Sequence, residues 1–171
     1  MLIDGRAQRT LSHPALVRGV GFFHGADVSL RFHPAKPDTG VVFTRTDLPD
    51  RPRVRAHIDN VVPSQRRTAI QEGPASVEMI EHVMAALSGL RIDNCEIEID
   101  NLECPGCDGS SLAFVEALDG AGIVEQDAPR KALVLDRALT VHDGNSTLAA
   151  HPAEKPELLL SYHLDYGHES P

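Results

Sequence analysis

The sequence predicts an α+β fold: a two-layer sandwich of a mixed sheet with helices on one face, followed by the first strands of a second similar domain. Two observations carry this prediction. Apolar and acidic residues alternate over residues 95–100, and apolar residues recur at helical spacing on both sides of that stretch. The resulting order of strand, helix, strand, helix and strands is typical of helices packed on one face of a sheet.

The first third of the chain indicates strands that are joined by turns. Residues 19–25 form a glycine-rich turn, and the alternating run at 28–32 predicts a half-buried strand. Residues 34–40 have the composition of a turn, residues 41–43 begin another strand, and residues 47–53 predict a loop.

Two amphipathic helices are predicted around a central strand. Ser76 can cap the first helix and Gly89 can end it; its apolar face comprises Val77, Ile80, Val83, Met84 and Leu87. Residues 95–100 then predict a strand with one solvent-exposed face. The second helix follows a turn at 108–111, and its apolar residues are Leu112, Phe114, Val115 and Leu118.

The segment after residue 122 indicates a change of domain. Residues 126–131 are polar and contain Pro129, so they predict a linker, with strands around 132–141, 147–151 and 157–166 beyond it. No helix that could cover these strands is predicted before Pro171. We therefore expect one domain at residues 1–126 and the start of an incomplete second domain at residues 127–171.

Composition excludes several classes of protein. The 171 residues carry a formal net charge of -9, which argues against a nucleic-acid partner because such proteins usually have a basic face. The chain has no run of roughly 18–20 apolar residues and no apolar secretory signal, so we expect a cytoplasmic protein without a transmembrane segment. Three cysteines do not indicate a disulfide framework. The pattern leaves the oligomeric state open.

Glu81 and His82 are adjacent on the first predicted helix and form one candidate site. One of them could bind a metal while the other acts on metal-bound water. A catalytic zinc ion, however, needs about three protein ligands and an open position for water. Such a pair by itself is commonly a solvated surface pair, so the residues alone leave both interpretations open.

Two further groups are candidates. Cys104 and Cys107 have the spacing of a dithiol redox motif or of half a structural zinc site, but also suit a simple turn. The other group could gather a metal ion or could consist of exposed strand and loop residues: His142, His151, His163, Asp165 and His168.

Residues 76–94 read Ser-Val-Glu-Met-Ile-Glu-His-Val-Met-Ala-Ala-Leu-Ser-Gly-Leu-Arg-Ile-Asp-Asn, and residues 105–110 read Pro-Gly-Cys-Asp-Gly-Ser. These segments resemble the Ser/Thr-Val-Glu-His, Ala-Leu, Gly-Leu, Ile-Asp-Asn and Pro-x-x-Asp-Gly-Ser pattern of the UDP-3-O-acyl-N-acetylglucosamine deacetylases, zinc-dependent enzymes of lipid A biosynthesis. Further similarities follow in the same order at residues 19–25, 39–48, 114–123 and 164–168, so the resemblance covers nearly the whole chain.

The resemblance implies an enzyme that removes acetate from UDP-3-O-(3-hydroxyacyl)-N-acetylglucosamine. It implies that Glu81 is the general base and that His82 is the first ligand of Zn²⁺. The family's other two zinc ligands lie in a His-Lys-x-x-x-Asp motif that this sequence does not contain. We therefore expect this chain to carry only the first half of the active site, with the remaining zinc ligands outside it. The residues that bind substrate are not identified.

One departure concerns the glycine-rich turn. Phe23 stands where the family usually has a histidine, and His24 follows one place later, so the role of that histidine is not carried over. Two alternatives remain open from the sequence. One is a dithiol redox protein that uses Cys104 and Cys107; the other is a non-catalytic domain that binds a nucleotide sugar.

Overall fold

The computed structural model describes residues 2–153, 155 and 158–165, and it contains twelve strands and two helices within them. The strands are β1 (Leu2–Leu11), β2 (Ala15–Val20), β3 (Asp27–Pro34), β4 (Val41–Arg45), β5 (Arg53–Arg55), β6 (Val61–Val62), β7 (Ala69–Glu72), β8 (Ala75–Glu78), β9 (Cys95–Ile99), β10 (Ile123–Ala132), β11 (Leu139–Asp143) and β12 (Ser146–Ala150). The helices are α1 (Glu81–Gly89) and α2 (Leu112–Gly120), and a short 3-10 turn lies at Ile58–Asn60.

A five-stranded mixed sheet is the centre of the larger compact unit, Arg6–Arg130. Its strand order is β2-β3-β9-β4-β5. The β4–β9 pair is parallel, and the other neighbours are antiparallel. A parallel pair needs a long crossover connection, and the chain between β4 and β9 includes β8 and α1. The topology therefore places the start of α1 within the crossover that the parallel pair requires.

The core lies between this sheet and the two helices. Cys95, Ile97 and Ile99 of β9 are fully buried on one face, while Glu96 and Glu98 point to the other face and are partly exposed. Both helices contribute to the same core, and the Phe114 ring of α2 packs edge-to-face against Phe32 of β3 with centroids 6.5 Å apart. The predicted α+β class, with helices on one face of a mixed sheet, is thus confirmed.

The predicted start of the first helix is wrong. Ser76 does not cap a helix, because residues 75–78 form β8 and pair with β7. Ala75, Val77 and Met79 alternate as buried residues, and Val77 is also three residues from Ile80, so one apolar pattern suits both a strand and a helix. Strand pairing decides between the two, and α1 begins only at Glu81.

The predicted linker at 126–131 is not an irregular segment, because these residues lie inside strand β10, which pairs with β1; their place at a domain boundary stays a prediction. Polar composition was misleading here, since the polar groups of this segment have partners in the fold. The side-chain oxygen of Gln126 accepts a hydrogen bond from Asn94, and the carbonyl oxygen of Pro129 accepts one from Gln8. Proline is tolerated at strand edges, where no ladder donor is needed.

The smaller unit contains the first residues of the chain and residues 131–171. β11 and β12 form an antiparallel hairpin, which confirms a strand near 147–151 and only the end of the one predicted at 132–141. Residues 158–165 form no strand, so that part of the third prediction is wrong. The side chains of Leu158, Leu159 and Leu160 are more than 80% exposed, and no neighbouring strand satisfies this segment's backbone groups within the described residues. A second domain that begins at residue 127 stays a prediction.

A buried amide network joins the strand pair β1–β10 to the core. Asn94 is 1% exposed, and its amide nitrogen donates to the side-chain oxygens of Gln8 and Gln126, both at 2.7 Å. Its oxygen accepts the N–H of Gly40 at 2.8 Å. A buried polar network of this kind stabilises a fold only when each member finds its partner, and here one asparagine serves three segments.

We expect Asn94→Ala to lower the free energy of unfolding by about 3 kcal/mol, because it leaves several buried polar groups without partners. Urea unfolding monitored by circular dichroism measures this loss. Asn145→Ala, at an exposed turn position, is the matched control and should change stability by about 0.5 kcal/mol or less. Equal losses in the two variants would contradict this account of the network.

A buried ion pair lies at the end of β4. Arg45 is buried, and its guanidinium donates two hydrogen bonds to the carboxylate of Asp47, at 2.8 and 2.6 Å, and a third to the carbonyl oxygen of Ser76 at 2.6 Å. These hydrogen bonds from Arg45 hold the pKa of Asp47 below its ordinary value of 3.8, although partial burial acts in the opposite direction. The pair therefore links β4 to β8, the strand that leads into α1.

Asp47→Asn should destabilise the fold by about 2 kcal/mol at neutral pH, because the buried guanidinium loses its charged acceptor. A lowered folded-state pKa means that the pair contributes its full stability above pH 3.8 and loses it as the pH falls through the folded-state value. The stability difference between wild type and variant should therefore shrink near pH 3, as urea titrations at both pH values can measure. A difference that does not depend on pH would contradict the assignment.

Candidate active site

The candidate site is built around a short parallel pairing between the end of β8 and residues 102–104. The N–H of Glu78 donates to the carbonyl oxygen of Leu102 at 2.9 Å, and the N–H of Cys104 donates to the carbonyl oxygen of Glu78 at 3.0 Å. The next residue, Met79, is buried in the left-handed region with φ of 59°. This turn redirects the chain from β8 into α1, so that Glu81 and His82 become the first two residues of the helix.

Glu81 is partly buried and is held by main-chain groups of Thr68. One carboxylate oxygen, Oε2, accepts the N–H of Thr68 at 3.0 Å, while the carbonyl oxygen of Thr68 accepts the N–H of Ile80 at 3.4 Å. The N-terminus of α1 adds helix dipoles that favour a negative charge at this position. Within the described residues Oε1 of Glu81 accepts no hydrogen bond, so this oxygen can accept a proton from another group.

His82 is partly buried at the second position of α1. Asp108 lies in the turn that precedes α2, and its pKa is lowered mainly because the hydroxyl and N–H of Ser110 donate to its carboxylate. The positive charge of His82 is a smaller cause in the same direction. The predicted pair itself directly follows the junction between the end of β8 and residues 102–104.

The glycine-rich turn lies directly on this junction. Glu103 is 2% exposed, and its two carboxylate oxygens accept the N–H groups of Phe23 at 2.8 Å and His24 at 2.9 Å. A Cβ on Gly21 would lie 2.6 Å from Oε2 of Glu103, and one on Gly19 would lie 2.9 Å from the Cβ of Pro105. Only glycine allows this close approach, which explains the composition of the turn.

Charged side chains next to the predicted pair connect three segments. Oε2 of Glu78 accepts hydrogen bonds from Nε of Arg67 at 2.8 Å and from Nε2 of His24 at 3.2 Å. The guanidinium carbon of Arg67 also lies 4.6 Å from the ring centroid of Phe23, a cation–π distance. His24 therefore contacts a carboxylate of the β8–α1 connection, while its own N–H is held by Glu103.

The two cysteines of the Cys-x-x-Cys motif do not have the character of redox thiols. Cys104 is fully buried, and burial, followed by the negative charges of Glu81 and Glu103, raises its pKa far above the ordinary value. Cys107 is exposed, yet partial desolvation and the charge of Asp108 raise its pKa as well. A catalytic dithiol needs a lowered pKa, so this geometry suits a structural turn.

The C-terminal histidines are not gathered into a site. His142 lies on β11 and contacts Thr147 through Nδ1 at 2.9 Å, and His151, His163 and Asp165 are exposed. His168 lies outside the described residues. Across residues 2–153, 155 and 158–165, no group of three or more His, Cys, Asp or Glu side chains is arranged to hold a metal ion.

Comparison of the sequence with known proteins identifies its family. The family model described as LpxC, UDP-3-O-acyl N-acetylglycosamine deacetylase, matches residues 8–171. The chain belongs to the LpxC family. Its LpxC relatives include the UDP-3-O-acyl-N-acetylglucosamine deacetylases of Myxococcus xanthus, with 39% identity over 94% of this chain and 51% of the relative, and Bdellovibrio bacteriovorus, with 43% identity over 91% and 49%. The bifunctional enzyme LpxC/FabZ of Chlorobaculum tepidum is 46% identical over 80% of this chain and 29% of its own length.

The chain thus spans about half the length of the two LpxC deacetylases just named. Neither helix in the described part of the chain has the length and apolar character of a membrane span. The resemblance seen in the sequence is therefore confirmed at the level of the family. The roles of Glu81 and His82 stay predictions.

The sequence did not point to four residues around the predicted pair: Thr68, which donates to Glu81, and three residues that hold the neighbouring segments, Arg67, Glu78 and Glu103. Thr68 acts through its main chain, which leaves no signature in residue type. Glu78 and Glu103 are 25 positions apart in the sequence, and only the pairing of two strand ends brings them together. The one available signal was the glycine-rich turn, since closely spaced glycines indicate that another group approaches the backbone.

The thiols of the folded chain should be slow to react. We expect Cys107 to react with a thiol reagent more slowly than an ordinary exposed cysteine, because its pKa is raised, and Cys95 and Cys104 to react only after unfolding, because both are buried. Titration with a chromogenic disulfide, with and without denaturant, measures this directly. A thiol that reacts rapidly at about pH 6 would instead support the dithiol alternative.

Proposed function

We propose that this chain supplies the general base, Glu81, and one zinc ligand, His82, to the hydrolysis of the acetamide group of UDP-3-O-acyl-N-acetylglucosamine. The observation that carries this proposal is the geometry of Glu81. Its carboxylate is fixed through Oε2 by the N–H of Thr68, while Oε1 accepts no hydrogen bond within the described residues. Membership in a family whose relatives are named as deacetylases of this substrate gives the substrate class.

The chemistry needs a group that removes a proton from the attacking water. A carboxylate at the first turn of a helix, held by one oxygen, can accept that proton on its other oxygen without moving. The leaving nitrogen must gain one proton to depart as a neutral amine, and the same carboxyl group can deliver the proton that it took from the water. Glu81 would thus serve as base and then as acid.

The residues present fit a zinc ion only in part. His82 offers an imidazole, a preferred zinc ligand, at a partly buried position beside Glu81. The described part of the chain gathers no group of three such ligands, so we propose that the others come from polypeptide beyond this chain. When bound, zinc supplies Lewis acidity that lowers the pKa of a coordinated water. We also place the reaction in the cytoplasm, as the sequence predicts.

Two alternatives from the sequence are less well supported. The raised pKa of Cys104 and Cys107 argues against dithiol chemistry. No feature of the described residues favours a non-catalytic domain that binds a nucleotide sugar over the deacetylase.

A chimera tests the proposal. This chain can be joined to the part of the Myxococcus xanthus deacetylase that lies beyond the matched segment, and release of acetate can be measured. We expect Glu81→Gln to lower kcat by about 10²–10⁴-fold, the usual contribution of a general base, without loss of zinc. We expect His82→Ala to lower the zinc content.

The control is Glu116→Gln, which alters an exposed carboxylate on α2 and should leave kcat and zinc content unchanged. The unjoined chain should show no deacetylation. Full activity of Glu81→Gln in an active chimera, or strong deacetylation by the unjoined chain, would refute the proposed roles.

A further inference from the structure

Glu78 occupies a central place between the segments of the site, although the chemistry proposed above does not use it. It is the last residue of β8, three positions before Glu81, and its side chain is 16% exposed. Burial acts to raise the pKa of Glu78, but hydrogen bonds from Arg67 and His24 outweigh that effect and hold the pKa below the ordinary value. Glu78 is therefore a carboxylate held by two basic side chains.

Arg67 connects Glu78 to the residue that orients Glu81. Its Nε donates to Oε2 of Glu78 at 2.8 Å, and its guanidinium is covered on one face by the ring of Phe23. The next residue in the chain is Thr68, whose N–H donates to Oε2 of Glu81. The Cα and carbonyl of Arg67 belong to the same planar peptide unit as the Thr68 N–H, so an Arg67 that is held at its side chain limits the positions this peptide unit can take.

His24 attaches the glycine-rich turn to the same oxygen of Glu78. Its Nε2 lies 3.2 Å from Oε2 of Glu78, while its main-chain N–H donates to Glu103 at 2.9 Å. Glu78 and Glu103 are themselves paired through their backbones. The turn is thus held at two points, and one of these points is the carboxylate that also holds Arg67.

We propose that Glu78 is a positioning residue, which orients the carboxylate of Glu81 through Arg67 and the N–H of Thr68 and attaches the glycine-rich turn to the same point through His24. This inference rests on the proposed function, in which Glu81 is the base. Catalytic groups must be held close to their productive geometry by neighbouring hydrogen bonds, and Glu78 supplies that restraint here from outside the reacting atoms.

The Thr68 amide is the direct reporter. In the ¹⁵N-labelled chain, Glu81→Ala identifies the shift of the Thr68 amide proton that depends on the Glu81 carboxylate. Glu78→Gln keeps the size of the side chain but removes its charge. In this variant the hydrogen bond from Arg67 to residue 78 loses its charged acceptor and is weakened. We therefore expect the Thr68 amide proton to lose much of that shift and its hydrogen exchange to become about tenfold faster. Glu78→Asp keeps the charge on a shorter side chain. Its Thr68 amide shift and exchange rate should lie between those of the wild type and those of Glu78→Gln.

Two references separate positioning from general stability. The amide of Ile97, in the central strand β9, should exchange as in the wild type, and Glu116→Gln should leave Thr68 unchanged. An unaltered Thr68 amide in folded Glu78→Gln would overturn the proposal, as would equal acceleration at Thr68 and Ile97. If Glu78→Gln does not fold, Arg67→Met removes the same link, and an unaltered Thr68 amide in that variant would overturn the proposal.

These measurements need neither zinc nor substrate, so they can fail independently of the proposed function. Loss of the Thr68 response would remove Glu78 as a positioning residue and leave the role of Glu81 intact. An active Glu81→Gln chimera would remove the proposed base, whatever the behaviour of Thr68.

Discussion

The pairing of Glu78 with residues 102–104 is the constraint on which the site depends. Two main-chain hydrogen bonds join the end of β8 to this segment, and they bring together parts of the chain that are distant in sequence. On one side lies the turn through Met79 into α1, which presents Glu81 and His82. On the other side Glu103 holds the glycine-rich turn through two N–H groups. This pairing therefore gives the two segments a common neighbour.

The acidic side chains around this pairing are stabilised by nearby hydrogen-bond donors. The buried carboxylate of Glu103 is stabilised by main-chain N–H groups, and Glu78 by Arg67 and His24, so each buried or partly buried acid has donors close by. Cys104 remains a neutral thiol, since burial and the negative charges of Glu81 and Glu103 oppose its ionisation. Both oxygens of Glu103 accept N–H groups, whereas Glu78 and Glu81 each accept through Oε2 alone within the described residues.

Much of the fold followed from local patterns. Alternation at β9 and helical spacing at α2 predicted those elements, because each has one apolar face against a single core. Prediction failed where a local pattern was ambiguous or where non-local partners decided the outcome. Val77 suited a helix and a strand, and the polar residues of β10 suited a linker until the partners of Gln126 and Pro129 were known. Glu81 and His82 were found through resemblance, whereas Thr68, Glu78 and Glu103 could be found only from the pairing of distant segments.

The central claim is that Glu81 and His82 form one half of a metal site, and the response of the imidazole to zinc tests it most directly. In the chain labelled with ¹⁵N-histidine, Zn²⁺ can be added while the ring nitrogens of all nine histidines are followed. The account predicts a weak, saturable change at His82 that disappears in His82→Ala, because a single imidazole without further protein ligands binds zinc weakly. Tight stoichiometric binding by this chain alone, or a zinc response confined to other histidines, would contradict it.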